Sequence, residues 1–275
     1  MASLQELRKR LRTIRSTGQL AGAMRTAATA KYARLTKLRT DYRPYSQGCR
    51  DVLRLLGSAG IPRETELAEE RDCLVILSGN RGMCGGFNAE LMRYLDSCLP
   101  DLRDPILLVG GKKAAAHLRE RGIPFEEFPV SDVPRFEEFR ALSERLRQLY
   151  AAGAVERGMI LYQSFRNMLT QTPTLRQLLP ETETTADEED TLLYLPDRET
   201  ILVQLAVKCL DAEIYDLALE NGIGAQAATV MAMRSACDNA EAYASDLELT
   251  INRRRQADVT SSVIETASGN QQQGV

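Results

Sequence analysis

The chain has no tryptophan, a single histidine (His117) and only 5% aromatic residues. A zinc site or a histidine-based catalytic triad therefore has almost no material to be built from. The six cysteines (Cys49, Cys73, Cys84, Cys98, Cys209, Cys237) form no CxxC pair and no even framework, so they read as reduced, mostly packed thiols. Long apolar runs are missing too: stretches such as 106–111 and 159–162 fall far short of the ~20 residues that a membrane span needs. The opening segment, MASLQELRKRLRTIR, lacks the apolar core of a secretory signal. Its arginines resemble a transit peptide superficially, but the helical pattern described below runs past any sensible cleavage point, so it reads as part of the mature fold.

What is present is ordinary in bulk. Of 275 residues, 44% are hydrophobic and 27% charged, which argues against a disordered, collagenous or disulfide-scaffold protein. The length points to a full core plus an extra element, or to two domains. Charge, at a net of -3, is distributed unevenly. Residues 1–40 hold ten Lys or Arg against Glu6 alone, whereas 181–199 hold eight acids against Arg198 alone. A basic leading segment suits an acidic partner, whether nucleic acid, anionic lipid or an acidic protein surface. The plain alternative is a solvated helix face.

Both ends of the chain read as long helices. Leu4, Leu7, Leu11, Ile14, Gly18, Ala21, Ala28, Tyr32, Leu35 and Tyr42 follow a three-to-four spacing, the narrow seam of a coiled coil. Ser3 can cap the start, and Pro44 is the first proline, so the spacing predicts a helix of about 40 residues before a kink or bend. Gly18 costs about 1 kcal/mol in a helix, which the close approach of a second helix would offset. Near the other end, Val230, Met233, Cys237, Ala240, Ala244, Leu247 and Ile251 repeat the spacing with the same small side chains. Gly222 and Gly224 fall inside this second helix and predict a kink or break. Two such seams pair antiparallel if the middle folds as a compact unit.

That middle, 71–200, alternates differently. Apolar runs at 73–78, 105–109 and 157–165, with a strand-like 124–130, are interleaved with helix-like 88–99, 112–121 and 135–152. Strands alternating with helices imply βαβ units and a mostly parallel sheet. The expected organisation is an antiparallel coiled coil of N-terminal (1–57) and C-terminal (201–268) helices, an inserted Rossmann-like α/β domain, and a polar tail at 269–275.

A glycine-rich turn after the first strand raises the question of a nucleotide. SGNRGMCGGFNAEL (78–91) breaks the dinucleotide pattern, since Arg81 stands where a second glycine must let the pyrophosphate approach. It is no P-loop either, because Phe87 and Asn88 replace Lys and Ser/Thr. The turn reads as structural, and no cofactor is expected.

These segments resemble a known family. SGNRGMCGGFNAEL resembles the S-x-DRG-LCGG-x-N segment of the γ subunit of rotary F-type ATP synthases. TGQLAGAMRTAATAKYARL (17–35) is similar to the family's N-terminal run. MAMRSACDNA (231–240) and LELTINRRRQADVT (247–260) are similar to its C-terminal segments, and PTLRQLLP (173–180) and LLYLPD (192–197) to its intervening domain. The resemblance covers the chain in order. It implies a non-catalytic central rotor whose upper helices turn inside a hexamer of α and β subunits, and whose foot meets ε and the membrane c-ring. It implies no direct membrane span, and a peripheral position on the cytoplasmic face of a bacterial inner membrane. By position, Met24 and Arg25 would face a lever loop of β, Arg255 and Gln256 a catch loop of β, and Leu193, Tyr194 and Asp197 the foot.

Departures from the pattern include Asn80 for Asp, Thr26 for Met, and a polar 269–273 for an apolar tail. They suit a divergent or second-operon relative, with a sodium-pumping γ subunit as the alternative. The paired regulatory cysteines of the chloroplast form are lacking, so thiol control is not expected. Two rivals come from other classes. A nucleotide enzyme is disfavoured by the broken glycine pattern. A basic-helix nucleic-acid binder is disfavoured because no aromatic side chains interleave with 8–15 to stack bases.

Overall fold

A computed structural model describes residues 3–56, 61–63, 65, 67, 70–180 and 197–271. In chain order the elements are α1 (Leu4–Leu56), β1 (Asp72–Leu77), α2 (Phe87–Cys98), β2 (Ile106–Gly110), α3 (Lys112–Glu120), β3 (Glu126–Phe128), α4 (Phe136–Ala151), β4 (Arg157–Phe165), β5 (Gln171–Leu179) and α5 (Arg198–Gln271). The chain divides into two compact units, Met1–Ala27 with Ala232–Val275, and Ala28–Met231. Both long helices contribute to each unit.

In the first unit the anticipated seam is the inward side. Leu4, Leu7, Leu11, Ile14, Gly18 and Ala21 are each buried or half-buried while most of the residues between them are exposed. Met233, Cys237, Ala240, Ala244, Leu247 and Ile251 do the same on α5. A Cβ placed on Gly18 would stand 3.1 Å from that of Ala240, and one on Gly22 would stand 3.9 Å from the Cys237 sulfur. Arg15 pairs with Glu248 one turn and more further out. As numbers fall along α1 they rise along α5, so the pair is antiparallel. Glycine at position 18 lets the backbones approach where a larger residue would hold them apart.

The second unit is built on a five-stranded sheet of order β3-β2-β1-β4-β5. β1, β2, β3 and β4 pair parallel, and β5 joins β4 antiparallel. The central strands carry unbroken apolar runs because both faces are covered. Leu74, Ile76, Leu107, Val109 and Leu161 point to one face, against Leu91 and Leu95 of α2 and Leu118 of α3. Val75, Leu77, Leu108 and Ile160 point to the other, against Leu142 and Leu146 of α4, Leu35 of α1 and Ile214 of α5. The strand-like 124–130 shortens to β3, and β5 is a strand that the alternation of apolar residues did not announce. Its residues are mostly half-buried or exposed, as an antiparallel edge strand allows.

Two expected interruptions are absent. α1 runs on through Pro44 to Leu56. Proline removes one backbone hydrogen bond, but Ser46, Cys49 and Leu53 beyond it are buried and hold the helix in place. α5 passes unbroken through Gly222 and Gly224. A Cβ on Gly224 would lie 3.1 Å from the Phe87 ring, and one on Gly222 would lie 3.4 Å from Leu35, so here glycine serves close packing. From Ile214 to Asn221 every residue of α5 is buried, the mark of a helix covered on all sides.

Asp72 anchors the start of β1. Its carboxylate is fully buried and accepts two hydrogen bonds from the Arg157 guanidinium, both at 2.8 Å, and one from the Arg103 backbone N–H at 3.0 Å. Burial alone would raise its pKa, but these bonds and charges win and hold it below the usual carboxylate range. A carboxylate whose pKa is lower folded than unfolded stabilises the fold above its unfolded value of about 4. That contribution is lost as pH falls below about 4 through the folded value. Between roughly pH 5 and pH 2 the urea midpoint of the parent should drop more steeply than that of Asp72→Asn. Equal slopes would show that Asp72 is not one of the groups driving acid unfolding.

Candidate contact surfaces

The glycine-rich turn after β1 closes on itself. The Asn88 carboxamide accepts from Gly79 N–H at 3.0 Å and donates to the Arg81 carbonyl at 3.1 Å. At the start of α3, where a phosphate would seek backbone N–H groups, Lys112 N–H donates to Asn80 Oδ1 at 3.2 Å and Ala114 N–H to Ser78 Oγ at 3.0 Å. Asn80 also donates to the Val130 carbonyl at 2.8 Å. Lys113 N–H donates to the Gly79 carbonyl at 3.2 Å, so the first donors of α3 are engaged by the turn itself. Among the described residues no cluster of His, Cys, Asp and Glu could hold a metal, and no helix is long and apolar enough to cross a membrane.

Part of the basic leading run is spent internally. Lys31 pairs with Asp132 at 2.7 Å. Arg39 donates to both oxygens of Asp216, at 3.0 and 3.1 Å, and to Glu220 at 2.6 Å. Burial opposes the Arg39 charge, but hydrogen bonds and the charges of Asp216 and Glu220 outweigh it and raise its pKa further. Asp216 and Glu220, both buried on α5, were invisible as partners in a sequence where some 180 residues separate them from Arg39. Arg8, Lys9, Arg10 and Arg12 of the first unit are all exposed. With Thr13 and Leu20, Arg8, Lys9 and Arg12 line a shallow strip along α1.

Met24 and Arg25 are half-buried on α1, whereas Arg255 and Gln256 are fully outward on α5. The Gln256 carbonyl accepts from the Thr260 hydroxyl at 2.8 Å, an ordinary intrahelical bond made by its backbone. The structure does not bring these two pairs together. In the antiparallel register Met24 lies level with about residue 235, so some 30 Å of helix separates it from Arg255. They mark two places along one pair. Asp197 caps α5, accepting from Thr200 N–H at 2.8 Å and from the Thr200 hydroxyl at 2.9 Å, and these bonds lower its pKa. Leu193 and Tyr194 lie outside the described residues.

Sequence spacing missed a set of outward apolar residues in the first unit. Leu20, Tyr243, Leu249 and Val259 are each more than half exposed. Their off-seam heptad positions are the signal that could have marked them. Beyond Ile251, every residue from 252 to 264 is exposed.

Comparison with known proteins bears on all of this. The family model described as "ATP synthase" matches residues 3–271. The ATP synthase gamma chain of Desulforamulus reducens is 31% identical over 278 residues, covering 98% of each chain. This chain belongs to the ATP synthase gamma-chain family. The gamma chain of Glaesserella parasuis is 28% identical, covering 98% of this chain and 99% of that one. Among solved structures, a chain of the Euglena gracilis mitochondrial ATP synthase superposes with TM-score 0.73 at 17% identity, covering 98% of this chain and 93% of that one. A second, from the rotor of the same enzyme, gives 0.68 at 19% identity over 93% and 98%. At such identities the agreement is one of fold: long terminal helices around a mainly parallel sheet. As a gamma chain, the molecule is part of a rotary ATP synthase complex.

Proposed function

We propose that this chain is the central rotor shaft of an F-type ATP synthase, itself without catalytic groups. It would transmit rotation between an ion-driven membrane sector and the β subunits that make or hydrolyse ATP. The observation that carries this reading is the family match across residues 3–271, joined to a helix pair with an inward small-residue seam and an outward polar and apolar face. A shaft needs a tightly zipped pair that does not itself bind nucleotide, and the first backbone donors of α3, beside the turn after β1, are occupied by that turn. The partners are the α and β subunits of the hexamer, the ε subunit and the c-ring, with no nucleic acid. The chain sits peripherally on the cytoplasmic face of a bacterial inner membrane.

In this reading Met24 with Arg25, and Arg255 with Gln256, meet β at two levels of the pair, while Leu193, Tyr194 and Asp197 belong to the foot. A rotor surface must make and break its contacts with each β in turn. Exposed ion pairs suit this, because each is worth only ~0–1 kcal/mol. Arg25→Ala and Arg255→Ala should therefore each leave ATP hydrolysis by the purified complex within about fivefold of the parent. A larger loss from either would mean that one contact dominates torque transmission.

The deciding experiment is purification of a tagged copy from its native host. The expected product is a complex several times heavier than the 30.6 kDa chain, hydrolysing ATP and holding one copy per α/β hexamer. A lone chain, or one carrying RNA or a small cofactor, would overturn the rotor reading and leave only the fold.

A further inference from the structure

Six cysteines lie scattered through the sequence, yet the fold brings two of them to one layer. Within Ala28–Met231, α1 and α5 run antiparallel in heptad register. Leu35 lies 3.4 Å from where a Cβ on Gly222 would stand. Seven residues further on, Tyr42 meets Tyr215 edge-on, with ring centroids 4.8 Å apart. Each advance of one heptad along α1 is thus matched by a retreat of one heptad along α5. The next layer falls on Cys49 and on positions 208–209, of which Cys209 is the buried one. Cys49 and Cys209 share a cluster with Leu53, Leu202 and Ala206. Among the described residues it is the hydrophobic cluster that holds two cysteines. A disulfide there requires the two Cα atoms to come within roughly 4.4–6.8 Å, so peptide mapping of the oxidised chain tests the register of this layer directly.

We propose that Cys49 and Cys209 are a redox-convertible dithiol that clasps α1 to α5 when oxidised by a low-molecular-weight disulfide. The Cys49 thiolate attacks one sulfur of the external disulfide, breaking its S–S bond and releasing one small thiol. The mixed disulfide on Cys49 is then attacked by the Cys209 thiolate, which forms the protein S–S bond and expels the second small thiol. Two protein thiols are oxidised, one external disulfide is reduced to two thiols, and the protons pass to the departing thiolates. Because Cys49 and Cys209 are 9% and 5% exposed, the reaction follows local opening where α1 ends at Leu56. The remaining cysteines are placed differently. Burial pushes the Cys73 thiol up to about 12 and also raises that of Cys84, which disfavours the reactive thiolate. The Cys237 thiol donates to the Gly18 carbonyl at 3.6 Å in the other unit. The clasp rests on the fold alone and stands whether or not the rotor reading does.

The test is incubation of the full-length chain with oxidised glutathione, followed by acid quench, alkylation, intact mass and peptide mapping. The expected product has lost two hydrogens, links the Cys49 and Cys209 peptides, shows a raised urea midpoint, and reverts with dithiothreitol. Cys49→Ser and Cys209→Ser should each abolish the link and the shift in midpoint, whereas Cys98→Ser keeps both. Mapping of the unsubstituted chain decides the matter even if a serine variant folds poorly. Glutathione retained separately on Cys49 and Cys209, or a link that forms only in urea, would overturn the proposal.

Discussion

Arg39→Met should lower the unfolding free energy of the chain by about 3–5 kcal/mol, the cost of stripping a buried ion cluster of one member. The reason lies on α5. Asp216 and Glu220 are 7% and 8% exposed, one turn apart on a stretch that is buried on all sides. Glu220 keeps other donors when the guanidinium goes, from the Ser164 hydroxyl at 2.9 Å and Phe165 N–H at 2.8 Å. Among the described residues Arg39 is the side chain that donates to Asp216, which would be left as an uncompensated charge beside apolar neighbours. Neutralising the acids in the same chain, with Asp216→Asn and Glu220→Gln, should recover much of the loss, because the penalty comes from stranded charge rather than lost attraction. Urea titration of the parent and the two variants checks both statements. A cost below about 1 kcal/mol for Arg39→Met would mean that water reaches the cluster and screens it.

Gly111→Ala should cost about 3 kcal/mol or more, for two reasons that add. Gly111 has φ of +109° and ψ of 138°, a region that residues with a Cβ avoid. A Cβ there would stand 2.6 Å from Ser78 Oγ and closer still to the Ser78 carbonyl oxygen, which belongs to the backbone and cannot swing aside. Ser78 is tied on both sides, donating its N–H to the Gly110 carbonyl at 2.8 Å and accepting from Ala114 N–H at 3.0 Å. Relief of the clash therefore moves the end of β1 or unseats α3. Gly122→Ala is the internal control. Its φ of +68° carries the backbone strain, but nothing lies within 4 Å of the new methyl group, so only about 1–2 kcal/mol should be lost. Similar losses at the two positions would show that the Ser78 contact relaxes at little cost.

Much of this molecule was legible before any coordinates. The seam residues from Leu4 to Ala21 and from Met233 to Ile251 turn inward as their spacing required, because a heptad pattern is written in consecutive residues and needs no knowledge of the partner. The strands at 73–78 and 105–109 were plain for a similar reason, since burial on both faces leaves an unbroken apolar run. β5 was not, because an edge strand with one covered face mixes polar and apolar residues in a pattern that a loop can share.

The contact residues were read from resemblance, and the structure gives them unequal settings. Arg255 and Gln256 stand free of the seam, Met24 and Arg25 are partly covered, and Asp197 is engaged in capping α5. The outward Tyr243 and Leu249 escaped notice because a search for a seam looks past residues that lie off it.

The sequence by itself determined that two long helices would carry narrow small-residue seams, that a mostly parallel α/β unit would lie between them, and that its glycine-rich turn would not match a nucleotide cradle. Tertiary structure decided the rest: that Pro44, Gly222 and Gly224 break neither helix, that Lys31 and Arg39 turn toward acids of the same unit, and that Cys49 and Cys209 share one cluster. The physical reason is distance along the chain. Periodicity and turn chemistry act between near neighbours, whereas the register of two helices more than 150 residues apart is set only when the sheet and its covering helices close together and leave a single way to fill the space between them.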